Sequence, residues 1–355
     1  SRWEIIRYFV RRVWPYWAKH GEYSGLAVPH WPLPIWMTYL LPWAIGRSAF
    51  VDRDIHLVVS GANQCGIPAA LARKRYVVWI GTLYADELRG KALTGDRWSL
   101  RMLAGLNGFM LRWQERIVFE RASMILTNGE HTASRIREVY PQVAQKLRVV
   151  TYPVDTDLFH PDPTVRDGVS SPYLLFTARI NDLRKNVAML FRAYARVRRQ
   201  HPEIRLVLTG DAADSNVQEQ LALTGMTGKV DIVGRQSLPD LVRLYQGAEL
   251  FVLSSNQEGL GISILEATAC GLPVVTTRCG GPESVVVDDE TGYLVPLDDD
   301  AAMAERILAL LADPELMERM RVASAALAQR LFSRASTGKF LLQAFRDVYP
   351  EHFSH

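Results

Sequence analysis

The chain alternates between two hydrophobic periods. Short unbroken apolar runs, as in Tyr76 to Ile80 and Leu250 to Leu253, have the composition of strands buried on both faces. Between them lie stretches with apolar residues spaced three and four apart, the pattern of helices that bury one face. Strands are predicted at 55–60, 76–80, 124–127 and 147–150, with helices at 65–74, 98–121 and 131–140. A second series predicts strands at 173–178, 204–209, 230–233, 249–253, 273–276 and 292–295. Its helices fall at 186–200, 215–225, 238–247, 262–270, 282–287 and 300–312, and a largely helical tail covers 314–349. This order predicts an α/β protein of two Rossmann-like domains with parallel sheets. Residues 151–171, rich in Pro, Asp and Ser, read as the linker. The expected division is 1–160, 161–330 and a C-terminal helix over 331–355 that packs back on the first domain.

Ahead of the first series, residues 3–19 read as an amphipathic helix interrupted by Pro15, followed by a turn between Gly21 and Gly25. The aromatic stretch 29–46 holds four prolines, which rule out a long regular helix there.

Composition changes this picture in one respect. The net charge of +3 over 355 residues conceals a split. Residues 1–122 hold 17 Lys+Arg against 9 Asp+Glu, the remainder 24 against 29, and all nine tryptophans lie by Trp113. Aromatics beside cations suit an anionic membrane surface, although aromatics also simply fill cores. Nucleic acid is not an expected partner, because the charge is moderate and no nucleic-acid motif is present. Cys65, Cys270 and Cys279 lack metal or redox spacing, which points to a reducing, cytoplasmic setting. No apolar run is long enough to predict a transmembrane helix. A triphosphatase loop, a Gly-x-Gly-x-x-Gly fingerprint after a strand and zinc spacing are all absent.

The candidate chemistry gathers in the second series. After the strand at 249–253 comes Glu258-Gly259-Leu260-Gly261-Ile262, with Glu266 eight residues beyond Glu258. Strand, glycine turn and helix start in that order aim backbone N–H groups and a positive dipole end at the loop, which suits phosphate. The flanking carboxylates suit hydroxyl groups. A ligand with phosphate in the middle and hydroxyls at both ends is a sugar nucleotide. Arg179 and Lys185 follow the strand at 173–178, where open α/β sheets bind ligands, and offer cations for phosphate. The competing reading is a solvated loop with ordinary surface cations, and for Glu266 an acid favoured in a first helical turn. Gly234 and Arg235, after the strand at 230–233, form either the floor of a base-binding slot or a plain turn. Gly280-Gly281-Pro282-Glu283 reads as a turn opening a helix. The Asp-x-Asp strings at Asp52, Asp155 and Asp298 are discounted as metal sites.

Taken together, these residues resemble the retaining glycosyltransferases of family 4, which have the GT-B fold. The resemblance covers residues 120–300 and includes the E-x7-E pair Glu258 and Glu266. It also takes in Arg179 with Lys185, the string Glu120 to Thr127, Val154 to Pro161, Gly280 to Glu283, and Thr291 to Val295. It implies that Arg179 and Lys185 neutralise a departing diphosphate. Glu258 would bind hydroxyls of the transferred sugar, helped by backbone N–H groups from Gly259, Leu260, Gly261 and Ile262. Glu266 would hold the ribose, and Gly234 with Arg235 would line the base. The implied reaction needs no metal or cofactor. Its substrate would be a UDP- or GDP-sugar, and its acceptor a glycan or lipid-linked glycan at the inner face of a membrane. The family's opening strand and Gly-rich loop are not found, and Ile80-Gly81-Thr82 stands where the family often has a His. Asp86 or Glu87 is the expected acid or base nearby. A sugar-nucleotide-binding scaffold and an epimerase of the same fold remain alternatives.

Overall fold

The computed structural model describes residues 16–20, 23–27, 37, 53–60 and 63–353. The expected helix over residues 3–15 and the proline-rich stretch, apart from Met37, lie outside these. Residues 16–19 are not helical. Tyr16–His20 (β1) pairs antiparallel with Tyr23–Ala27 (β2), Gly25 lying opposite Ala18. Pro15 denies a helix its interior N–H just before this segment, and Tyr16 and Trp17 are residues that favour strands.

Two parallel sheets form the body. The first has the order β3 (Leu57–Ser60), β4 (Val77–Ile80), β5 (Met124–Thr127), β6 (Leu147–Val149). The second contains β7 (Tyr173–Ala178), β8 (Arg205–Gly210), β9 (Asp231–Gly234), β10 (Leu250–Leu253), β11 (Val274–Thr277) and β12 (Gly292–Val295). Its spatial order is β12-β11-β10-β7-β8-β9. All four side chains of β10 are fully buried. Each such apolar side chain contributes roughly 1.5–3 kcal/mol by leaving water. The helix Val187–Gln200 covers one face of this sheet with Val187, Leu190, Phe191, Tyr194 and Val197, the spacing of a single helical stripe. The Asn186 side chain caps its start by accepting from Met189 N at 3.3 Å. Truncating the fully buried Phe191 to Ala would cost about 3–5 kcal/mol.

Chain order places the ligand crevice. From β7 the chain winds through β8 and β9 to one side, and then returns through β10, β11 and β12 on the other. The gap between β7 and β10 is therefore the switch point, beyond whose C-terminal ends open α/β sheets bind ligands. These strands register only Leu250 with Leu174 and Phe251 with Leu175, so the ladder stops short of those ends.

Several elements differ from expectation. The helix anticipated over 98–121 is two, Arg97–Leu103 and Gly105–Arg121, because Ala104 is extended and Gly105 has φ +52°. The stretch 65–74 holds a 3-10 turn and only the short helix Ile67–Leu71. The linker contains the helix Pro163–Asp167, which Asp162 caps by accepting from Thr164 N at 3.0 Å. The helix expected at 282–287 is a single turn, Pro282–Ser284. The β-branched run Val285 to Val287 resists helix, and Val285 and Val286 enter the core instead. The tail holds the helix Pro314–Leu327, a π stretch over 328–332 and the helix Arg334–Val348. Val154 N donates to Phe332 O at 2.8 Å where the tail crosses the linker. Ala344, Val348 and Tyr349 then pack against Val77, Trp79, Met124 and Leu126 of the first sheet.

Candidate active site

Four loops meet where the two sheets face each other. Those after β4 and β5 come from the first sheet, and those after β10 and β11 from the second. Gln257 Nε2 donates to Asp86 O at 2.9 Å. Gly259 lies so close to Gly81 that an added Cβ would sit 3.0 Å from the Gly81 carbonyl oxygen. At Gly280, with φ +109°, an added Cβ would fall 2.6 Å from His131 Nε2. Gly259 thus allows two backbones to close on one another and Gly280 makes room for the His131 ring, which bulkier residues would prevent.

The switch point brings two of the expected residues together. Lys185 and Glu258 form an ion pair across it, their side chains only 15% and 12% exposed. Sequence places Lys185 in the loop after β7 and Glu258 in the loop after β10, and the strand order brings them together. Ser255 Oγ also donates to the same Glu258 oxygen at 2.7 Å, and the Thr277 hydroxyl in turn donates to the Ser255 carbonyl. Ser254 Oγ donates to the carbonyls of Lys185 and Asn186 at 2.8 and 3.0 Å, tying the two loops. Glu258 further bridges to Gly280, its carbonyl accepting from Gly281 N at 3.0 Å.

The loop carrying Lys185 is shaped by Asp182. Its carboxylate accepts from Arg184 N at 3.1 Å and grips the Arg184 guanidinium at 2.7 and 3.0 Å. Burial pushes the Asp182 carboxyl up, but the bonds from Arg184 outweigh this and leave it below its ordinary range. Arg179 meets the same carboxylate at 3.1 Å and is 66% exposed, with its guanidinium toward solvent at the mouth of the crevice.

The glycine turn delivers the start of the helix Ile262–Ala269. Gly261 is its cap residue, at φ +86°, and no side chain caps this end. Its first N–H groups are thus directed to the loop, as an anion site requires. Leu260 is buried, whereas Ile262 is exposed. Glu266 departs from expectation: it is the fifth residue of this helix, not a member of its first turn. Dipole stabilisation therefore does not account for it. It is half-buried and accepts from Tyr245 Oη at 2.8 Å. Burial raises its pKa, and the Tyr245 bond offsets that in part.

Gly234 ends β9 at φ +71°, and Thr209 Oγ1 donates to its carbonyl at 2.7 Å. Arg235 is 81% exposed and pairs with Asp211 at 2.8 Å. No bond in the described residues joins Gly234 or Arg235 to the Lys185–Glu258 pair. Asp86 and Glu87 are both engaged, Asp86 by Arg89 at 2.6 Å and Arg135 at 3.0 Å, Glu87 by Lys91 at 2.7 Å. Sequence reasoning passed over Ser255, Thr277, Asp182 and Arg184. For Ser255 a signal was available, a hydroxyl residue just past a buried strand and three before Glu258.

Comparison with known proteins bears on this geometry. A family model described as glycosyl transferases group 1 matches residues 166–326. The chain is 30% identical over 242 residues to the D-inositol 3-phosphate glycosyltransferase of Segniliparus rotundus, covering 65% of this chain and 53% of that protein. It is also 30% identical over 274 residues to the GDP-mannose-dependent alpha-(1-6)-phosphatidylinositol monomannoside mannosyltransferase of Mycolicibacterium smegmatis. That match covers 69% of this chain and 70% of that protein. The chain spans about half the length of several curated relatives that it matches. In three dimensions it resembles sucrose-phosphate synthase of Thermosynechococcus elongatus, with a TM-score of 0.77 over 94% of this chain and 86% of that one, at 20% identity. The shared architecture is the GT-B fold.

Proposed function

The chain belongs to the group 1 glycosyl transferases, and on that premise we propose that it moves a sugar from a nucleotide diphosphate to an acceptor hydroxyl with retention of anomeric configuration. The observation that carries this reading is the Lys185–Glu258 pair at the switch point, beside an uncapped helix start. A donor diphosphate in the crevice competes with Glu258 for Lys185. Lys185 and the more exposed Arg179 then carry the phosphate charge, with the N–H groups of Gly259 to Ile262. Glu258, released from Lys185, accepts hydrogen bonds from hydroxyls of the sugar. Glu266 does the same for the ribose, and Gly234 with Arg235 borders the base. These cationic groups take the role that a metal has elsewhere, so the reaction is proposed to run without one.

As the bond between the anomeric carbon and the phosphate oxygen breaks, its electron pair leaves with the diphosphate. The acceptor oxygen bonds to the same face of the oxocarbenium-like carbon, and its proton passes to the departing phosphate oxygen. The acceptor is proposed to be a glycan or lipid-linked glycan. The relative from Mycolicibacterium smegmatis, named as a phosphatidylinositol monomannoside mannosyltransferase, supports this class, whereas the relative from Segniliparus rotundus is named for a small inositol phosphate. No helix among the described residues is long and apolar enough to cross a membrane. Peripheral work at the cytoplasmic face is proposed from the basic, tryptophan-rich first 122 residues.

Incubation with UDP- and GDP-sugars, with and without lipid-linked acceptors, tests this. The proposal expects an acceptor-dependent glycoside whose anomeric configuration by NMR matches the donor's. Conversion of the donor alone to another sugar nucleotide would instead establish an epimerase. Wild-type turnover in both Lys185→Ala and Glu258→Ala would overturn the assignment of the site.

A further inference from the structure

The helix Gly105–Arg121 has a face that the first domain leaves uncovered. Gly108, Leu111, Gln114, Glu115, Val118 and Phe119 point inward. Leu106, Phe109 and Trp113, spaced as one stripe, point outward and are 67%, 58% and 39% exposed. Arg112 and Arg116 are exposed beside them. The preceding helix Arg97–Leu103 adds Trp98, 54% exposed, with Arg97 and Arg101 also in solvent.

Charge identifies what this face fits. Residues 93–116 contain four arginines, all exposed, and two carboxylates. Both carboxylates are committed within the fold. Asp96 accepts from Ser99 Oγ at 2.6 Å and caps the first helix, and Glu115 is buried against Tyr140 Oη at 2.7 Å. Further along the helix Glu120 pairs with Arg116 at 2.6 Å, which leaves Arg97, Arg101 and Arg112 as the cations beside the stripe. An apolar and aromatic stripe flanked by these cations is complementary to an anionic bilayer: rings enter the headgroup boundary and guanidinium groups meet phosphates. A water-soluble acidic protein would satisfy the arginines and leave the large apolar side chains poorly matched.

We infer that the outer face of the helix pair Arg97–Leu103 and Gly105–Arg121 is a docking surface for an anionic lipid membrane. The surface is coupled to the crevice by a short path. Met102 and Leu111 pack on Leu88 of the helix Tyr84–Leu93. That helix spans roughly 15 Å, and its first turn holds Asp86, whose carbonyl accepts from Gln257 beside Glu258. A lipid-linked acceptor on the docked membrane would therefore lie about one helix length from the reacting groups. The inference deepens the proposed peripheral reading, but its own test is independent of transfer.

The experiment is flotation of the full chain with vesicles of phosphatidylcholine alone and of phosphatidylcholine mixed with phosphatidylglycerol, at low and high salt. Binding is expected only to the mixed vesicles and to weaken with salt. The variants are Leu106→Ser/Phe109→Ser and Arg101→Glu/Arg112→Glu, all at exposed positions. Each arginine near such a surface contributes roughly a five-fold factor, so the double charge reversal is expected to weaken binding by at least about 20-fold. The thermal shift produced by nucleotide should persist in both variants, and Lys185→Met should float like the wild type. Absence of flotation with mixed vesicles overturns the inference. So does undiminished flotation of both variants, which would place the contact elsewhere in the chain, for example within residues 1–52. Sedimentation showing that the stripe instead joins two copies in the absence of lipid also overturns it. Loss of nucleotide binding with vesicle binding intact would overturn the proposed reaction and leave this surface standing.

Discussion

The Lys185–Glu258 pair should behave as one energetic unit. Its side chains are 15% and 12% exposed, so each charge has given up most of its water. Replacing Lys185 with Met leaves the Glu258 carboxylate with the Ser255 hydroxyl as its remaining side-chain partner among the described residues. Breaking a buried pair costs about 3–5 kcal/mol, because a charge is left without its partner. With the residual exposure and the Ser255 bond retained, roughly 2–3 kcal/mol is expected for Lys185→Met. Glu258→Gln keeps an oxygen that can accept from both Lys185 and Ser255 and should cost less, about 1–2 kcal/mol. The double variant removes both charges, so its loss should fall short of the summed single losses by about 1–2 kcal/mol. Urea unfolding of the four proteins measures this cycle directly. A coupling energy indistinguishable from zero would refute the reasoning, as would a Lys185→Met midpoint equal to that of the wild type.

Two further predictions follow from individual sites. Burial raises the Glu115 carboxyl to about 7, a shift that the Tyr140 bond only partly offsets. A folded pKa above the unfolded one makes the protonated form the stabilising one. Its contribution is complete below the unfolded value and is lost as pH rises through about 7, by up to roughly 3 kcal/mol. Glu115→Gln should flatten that fall between mildly acidic and mildly alkaline pH; an unchanged slope in pH-dependent urea midpoints would count against it. At Gly261, φ is +86° and an added Cβ would meet Ile264 Cδ1 at 2.9 Å. Gly261→Ala should cost about 1–3 kcal/mol of stability and weaken nucleotide binding, and calorimetry that finds neither effect would show that the turn is not held in this form.

Much of this molecule can be read in its residues because parallel strands buried on both faces leave unmistakable apolar runs. The second sheet is the clearest case, with β7 and β12 falling at their anticipated bounds. The loop that holds the candidate residues was also legible, as a Gly-x-Gly turn between a strand and a helix. Their mutual geometry was not. That Lys185 reaches Glu258 depends on β7 and β10 being neighbours, a pairing between segments more than seventy residues apart. Periodicity reports faces, and carries no information about which strands adjoin. Errors arose where one residue overrides a pattern. Gly105 splits an otherwise continuous helical stripe, and Pro15 stands ahead of a segment whose aromatics fit a strand as well as a helix. Glu266 shows that a correct helix start does not by itself fix a residue's role. The helix starts at Ile262 as anticipated, yet Glu266 is its fifth residue and lies beyond the first turn, which changes the physical account of why an acid stands there.

The central claim is that the crevice between β7 and β10 binds a sugar nucleotide through Lys185, Arg179 and the Glu258–Glu266 segment. Calorimetric titration of the wild type and of Arg179→Ala/Lys185→Met with UDP, GDP and ADP, each with and without its sugar, tests it most directly. The account predicts binding with one base preferred, and a loss of at least about 10-fold in the variant, since each charge-assisted bond to phosphate is worth roughly 1.5–3 kcal/mol. Equal affinity of wild type and variant for the preferred nucleotide would contradict it, as would heat of binding from none of them.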